Sequence, residues 1–173
     1  CHAYCTYCFR FNQFVGKDKF LEEDHVRLHR YLKEHTEVSD ILMTGGDPAT
    51  MKTDVWKKVL LPLLEPEYDH VQTIRVGTKA LTYYPYRFLT EPDSDDLIEL
   101  FATMRKHGKH VSIMGHFSHY QEMGDVTLEA VRRLREEAGA TIRTQSPVMR
   151  HINDDPDVWA TMWDKQIQNG MIP

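Results

Sequence analysis

The strongest constraint on this chain is a regular exchange between two hydrophobic periods. Stretches with apolar residues three and four apart alternate with short, continuous apolar runs of strand length. Phe20, Leu21, Leu28, Tyr31 and Leu32 mark one face of a helix over 18–35. The run from Val38 to Met43 ends at Thr44-Gly45-Gly46, as a buried strand and its turn would. Val55, Trp56, Val59, Leu60 and Leu63 predict a second helix, interrupted late by Pro62. A strand over Val71 to Val76 precedes a helix carrying Leu97, Ile98, Phe101 and Met104, with Ser94 as its N-cap and Gly108 just past its end. Val111 to Met114 predicts a strand, and Leu128, Val131, Leu134 and Ala138 a helix closed by Gly139. Ala140 to Thr144 predicts the fourth strand. Trp159, Met162, Trp163 and Ile167 form the last helix, with Asp155 as N-cap and Pro156 at its first position. Five helices separated by four strands imply βαβ units and a parallel sheet. Right-handed crossovers leave an open doubly wound sheet or a barrel, and periodicity alone does not separate them.

The chain has 173 residues, of which 41% are hydrophobic. That is enough for one real core, since a domain of about 150 residues buries roughly 68–70% of its unfolded surface. Three cysteines exclude a disulfide scaffold. No stretch approaches the ~20 apolar residues of a membrane span, and no signal-peptide pattern is present. A net charge of −5 argues against non-specific nucleic-acid binding. The first residue is Cys1, and the last residues, Asn169-Gly170-Met171-Ile172-Pro173, stop just after a helix-ending glycine. The expectation is one core domain over 1–173, cut at both ends, with a strand before Cys1 and a further strand beginning near Met171.

Parallel α/β folds place their chemistry at the carboxyl ends of the strands. Thr44, Gly45, Gly46 and Asp47 follow the first predicted strand, and Gly77, Thr78 and Lys79 the second. Gly115, His116, Ser118 and His119 follow the third, and Gln145 and Ser146, then Arg150, His151 and Asn153, the fourth. The opposite ends are plainer, which predicts a single active face. His25, His29 and His35 fall on an amphipathic helix and are expected to face solvent. Trp159, Met162 and Trp163 fit helical spacing and are expected in the core. Arg132, Arg133 and Arg135, followed by Glu136 and Glu137, read as a solvated helix face.

Cys1, Cys5 and Cys8 are all the cysteines, in the pattern C-x3-C-x2-C. Three thiolates at this spacing fit on one loop and can face one point. A [4Fe–4S] cluster suits three thiolates if its fourth iron is left for an exogenous ligand. Zinc, held by Cys1, Cys5, Cys8 and His2 in a non-enzymatic domain, is the competing reading, although a closed zinc site wants a fourth well-spaced protein ligand.

The cysteine motif, with Tyr7 before its third cysteine, resembles the signature of the radical S-adenosylmethionine superfamily. Further pieces are similar to its lysine 2,3-aminomutase branch. They are Cys8-Phe9-Arg10, Thr44-Gly45-Gly46-Asp47-Pro48, Ile74-Arg75-Val76-Gly77-Thr78-Lys79, Gly115-His116-Phe117-Ser118-His119 and Arg150-His151-Ile152-Asn153-Asp154. The resemblance implies a partial (β/α)6-type, TIM-like barrel with parallel strands and outer helices. It implies that Cys1, Cys5 and Cys8 bind a [4Fe–4S] cluster whose remaining iron takes S-adenosylmethionine. Tyr7, Gly45, Gly46, Asp47, His116 and Gln145 match positions around S-adenosylmethionine, and Arg10 matches the arginine that holds the substrate carboxylate, a task suited to its planar fork. The implied enzyme is an isomerase, an intramolecular aminotransferase. A 5′-deoxyadenosyl radical takes a hydrogen from an amino acid held by pyridoxal phosphate, and the amino group moves from carbon 2 to carbon 3.

The resemblance has departures. Phe11 and Asn12 stand where the family continues with arginines, and Tyr83 to Phe88 is more aromatic than the family stretch. His119-Tyr120-Gln121-Glu122 lacks the proline often found there. The family's Schiff-base lysine and its substrate-selecting carboxylates lie beyond the matching region. Lys79 is read as a phosphate or structural contact. Relatives acting on glutamate or on a protein-bound lysine remain open as substrate alternatives. The implied partners are an amino-acid substrate and an electron donor such as a flavodoxin or ferredoxin. Neither nucleic acid nor membrane is expected, and assembly as a homo-oligomer is compatible with the reading. Clustered free thiols suit a reducing compartment, so the expected location is the cytoplasm.

Overall fold

The computed structural model describes residues 3–8 and 24–173. Four parallel strands form one sheet: β1 (Asp40–Met43), β2 (Thr73–Thr78), β3 (His110–His116) and β4 (Thr141–Gln145). Their spatial order is their order in the chain, β1-β2-β3-β4. Doubly wound sheets reverse strand order at a switch point, and these four strands contain no such reversal. A parallel bridge from Arg143 to Ile172 continues the series beside β4, with Ile172 N–H donating to the Ile142 carbonyl at 2.9 Å. This isolated bridge lies on the side of β4 away from β3.

The helices are α1 (Asp24–Glu34), α2 (Thr53–Leu60), α3 (Ala80–Tyr83), α4 (Ser94–Lys106), α5 (Asp125–Glu136) and α6 (Pro156–Gln168). The expected helix over 18–35 begins at Asp24 among the described residues. Pro62 ends α2 as expected, because the chain continues as a 3-10 turn over Leu61–Leu64. The Asp155 carboxylate caps α6 by accepting from the Asp157 N–H, with Pro156 at the first helical position. Gly108 and Gly139, at φ 82 and 65, follow the ends of α4 and α5, where glycine relieves the left-handed backbone of its Cβ penalty.

Three expectations need correction. Asp93, not Ser94, is the N-cap residue of α4, and its carboxylate is drawn away to other partners. Trp163 is exposed and Trp159 half-buried, so only Met162 of that trio lies in the core. His25, His29 and His35 are all half-buried rather than solvent-facing, and His29 Nε2 lies 2.8 Å from the Val59 carbonyl.

Register divides the sheet into two unlike faces. One face carries Ile41, Ile74, Val76, Val111, Ile113 and Ile142, all buried in one core with Trp56, Leu60, Leu97, Phe101, Leu134 and Met162 from the helices. The other carries Leu42, Arg75, Gly77, Ser112, Met114, Arg143, His116 and Gln145. Of these, Leu42, Arg143 and Gln145 are exposed, and Arg75, Met114 and His116 are half-buried. Parallel sheets are normally covered on both sides and read as apolar throughout. Here the second face is mixed in polarity, with Ser112 buried and, among the described residues, Leu42, Arg143 and Gln145 exposed.

Candidate functional site

The four strands are parallel, so their carboxyl ends share one edge of the sheet. Thr78, Gly115 and Thr144 are register partners, as are His116 and Gln145. The polar residues that follow the strands in sequence are thereby gathered at one end, as expected. His116 and Gln145 stand side by side on the second face.

The cysteine turn reaches the same place. Cys8 N–H donates to the Cys5 carbonyl at 3.0 Å, closing a turn that carries two half-buried free thiols. Between them, Tyr7 stacks on His116, with ring centroids 5.4 Å apart and planes 14° from parallel. Its hydroxyl lies 3.4 Å from His116 Nδ1. Burial pushes the His116 imidazole down to about 4, helped by the nearby Lys79 cation, so the ring is neutral at pH 7. Burial likewise raises the Tyr7 phenol to about 12. Cys1 and Arg10 lie outside the described residues. Among the described residues no group of three or more metal-ligating side chains forms.

The turn after β1 is held from inside. Gly45 has φ 144, a backbone that favours glycine. Asp47 is buried, and its carboxylate accepts from Ala49 N–H at 3.2 Å, from the Thr78 hydroxyl at 2.6 Å and from Lys79 N–H at 2.9 Å. Asp47 thus points into the protein and ties the first strand's turn to the end of the second. Arg87, also buried, donates to the Ala49 carbonyl at 2.8 Å and the Met51 carbonyl at 3.0 Å while pairing with Asp93 at 3.0 Å.

Similar links run across the remaining strand ends. Lys79 Nζ pairs with Glu122 at 2.9 Å, and the other Glu122 oxygen accepts from Ser118 N–H at 2.5 Å. Lys79 is therefore a structural cation, tying the end of β2 to the loop after β3. The Asn153 side chain is fully buried and donates to the Ser118 carbonyl at 2.8 Å and the Pro147 carbonyl at 2.9 Å. Its oxygen accepts from Met149 N–H at 2.6 Å. Asp47, Lys79–Glu122 and Asn153 form three successive latches that fix four strand-end loops to one another.

Sequence reasoning gave no role to Glu122, Arg87 or Asp93. Arg87 and Asp93 are six residues apart and Glu122 is four from Ser118, but their other partners, Ala49, Met51, Thr53 and Lys79, lie tens of residues away, and no local pattern marks them. Asn153 and Thr78 stood inside quoted motifs, but their function as ties is visible only in three dimensions.

No family model matches the chain. Over its whole length, however, it is similar to proteins named lysine 2,3-aminomutase. A protein of Aquifex aeolicus named "Putative L-lysine 2,3-aminomutase" is 33% identical over 173 residues, covering 100% of this chain and 45% of that protein. The L-lysine 2,3-aminomutase of Haemophilus influenzae is 26% identical over 100% of this chain and 48% of its own length. The glutamate 2,3-aminomutase of Clostridioides difficile is 31% identical over 90% of this chain and 34% of its own length. The chain spans less than half the length of each of these relatives.

Proposed function

We propose that this chain forms the cofactor-cleaving part of a radical S-adenosylmethionine aminomutase, one that moves an amino group between carbons 2 and 3 of an amino acid. The observation that carries the reading is the stacking of Tyr7 on His116. It brings the thiols of Cys5 and Cys8 to the strand edge that also carries Gly45, Gly46 and Gln145. The donor set fits an iron–sulfur cluster: free thiols on one tight turn, beside the neutral imidazole on which Tyr7 stacks. Cys5 and Cys8, with Cys1, are the proposed iron ligands. When bound, the cluster and S-adenosylmethionine supply the radical that activates the substrate.

The chain's own residues position and shield. Gly45 and Gly46 let backbone approach the methionyl end of S-adenosylmethionine without side-chain interference. Neutral His116 and the Gln145 amide offer hydrogen bonds from the second face, and Tyr7 covers the side nearest the thiols. Asp47 acts indirectly, by holding the glycine turn in place. Arg10 is the proposed clamp for the substrate carboxylate, on the strength of the family resemblance. Lys79 is committed to Glu122, so no Schiff-base role falls to it, and pyridoxal phosphate enters through the resemblance alone.

The decisive experiment is anaerobic iron–sulfur reconstitution of the full-length protein, followed by reduction in the presence of S-adenosylmethionine. The expected result is a brown protein that releases 5′-deoxyadenosine and converts an α-amino acid to its β-isomer. A colourless, zinc-loaded protein that leaves S-adenosylmethionine intact would sink the proposal.

A further inference from the structure

The second face of the sheet carries one cation that nothing described so far employs. Arg143 sits on β4 two residues before Gln145, so both project from the same face. Its register partner is Met114, one layer below the His116–Gln145 pair. Three other cations near the strand ends are engaged. Arg75, on the same face, donates from Nε to Asp40 at 2.8 Å. Lys79 pairs with Glu122, and Arg87 with Asp93. Arg143 is exposed, and among the described residues no group accepts from its guanidinium. Its strand neighbours are fully used: Ile142 lies in the core, and the Thr144 hydroxyl donates to Gln166 of α6 at 3.0 Å.

The guanidinium is exposed among the described residues, so a desolvation cost arises only once this face is covered. The face belongs to a parallel sheet, a class of sheet that folded proteins cover on both sides. A guanidinium enclosed there without an anion would carry a desolvation penalty with nothing to offset it. A planar carboxylate is the ligand its five-donor fork matches best, through two parallel charge-assisted hydrogen bonds.

We infer that Arg143 is a carboxylate-binding residue of the candidate site. This rests on the functional reading above, which brings two carboxylates to that face beyond the one assigned to Arg10. One is the side-chain carboxylate of an acidic amino-acid substrate; the other is the methionyl carboxylate of S-adenosylmethionine. A cation at this position disfavours a substrate whose side chain ends in an ammonium group.

The test is calorimetric titration of the full-length, cluster-containing protein, without reductant and hence without turnover. S-adenosylmethionine, L-glutamate, L-glutamine and L-lysine are the probes, and wild type is compared with Arg143→Met and Arg143→Lys. The Arg143 guanidinium has no hydrogen-bond partner among the described residues, so both variants should keep the wild-type melting temperature. Loss of a bidentate charged contact should weaken one carboxylate ligand by at least about tenfold in Arg143→Met, with Arg143→Lys intermediate. Weakened glutamate binding, with glutamine unchanged, assigns the contact to the substrate side chain. Weakened S-adenosylmethionine binding assigns it to the cofactor. Affinities unchanged for all four probes overturn the inference. Failure of the reduced wild-type protein to cleave S-adenosylmethionine is a separate result, which removes the functional reading and leaves the titration to decide whether Arg143 binds a carboxylate.

Discussion

Asp47, which is buried, and Asp93, which is half-buried, both accept backbone N–H bonds, yet their acidities move in opposite directions. Burial holds the Asp47 carboxyl above its ordinary value, because its three donors are all neutral groups. Burial pushes Asp93 the same way, but the Thr53 amide and the Arg87 guanidinium outweigh it and hold the carboxyl low. The signs of their linkage to stability therefore differ. Asp93 contributes stability above the unfolded carboxylate value, and that contribution is lost as pH falls through its lower folded value. The Asp47 contribution is full below the unfolded value and is lost as pH rises through its raised folded value. Asp93→Asn should thus lower the urea midpoint at neutral pH, with the gap to wild type narrowing below about pH 4. Asp47→Asn should show the reverse, its gap widening in acid. Gaps that changed with pH in the same direction for both variants would refute this account. At this scale the sequence was a partial guide. It marked Asp47 as a site residue because the glycine turn stands out, but a carboxylate's orientation depends on Thr78, thirty-one positions away.

Elements here are fastened by single polar side chains at their ends. Arg87 locks the turn after β1 against the segment before α4, and Asn153 locks the loop after β4 against the loop after β3. Arg87→Met leaves the Ala49 and Met51 carbonyls without their donor and strands Asp93, so a loss of about 2–4 kcal/mol is expected. Asn153→Ala removes the side-chain partner of the Ser118 and Pro147 carbonyls and of the Met149 N–H around a buried position, for a similar loss of about 2–4 kcal/mol. Chemical denaturation measures both, and a change below about 0.5 kcal/mol, the range of ordinary surface substitutions, would contradict either. The elements themselves were largely legible. Periodicity located four strands and the five longer helices, and Asp155-Pro156, Gly108 and Gly139 marked their limits. The helix Ala80–Tyr83 escaped because four residues are too few to show a period. The N-cap of α4 was misplaced because Ser94 has the right chemistry, whereas Asp93 has the right position and spends its carboxylate elsewhere.

For the molecule as a whole, β2 and β3 are flanked by paired strands on both sides, whereas among the described residues β1 pairs only with β2. Native-state hydrogen exchange should be slowest at Ile74–Val76 and Val111–Ile113 and faster along β1. Equal rates across the four strands would show that the sheet opens as one unit. Strand order was the part the sequence left open: helix and strand periods are the same in a barrel and a doubly wound sheet, and it is the pairing that shows β1 to β4 in succession without a reversal. The second face was also hidden, since Arg75, Ser112 and Arg143 read locally as ordinary surface positions within short strands. The three latches have a consequence for anyone rebuilding this fold. Each joins a side chain in one connecting segment to groups in the next, so no segment is an independent module. A transplanted β1 turn needs its Asp47 together with a hydroxyl at position 78. A transplanted loop after β4 needs Asn153 together with a Ser118 carbonyl presented at the right height. Recombination between relatives should succeed when crossovers fall within helices and fail when they separate the two halves of a latch.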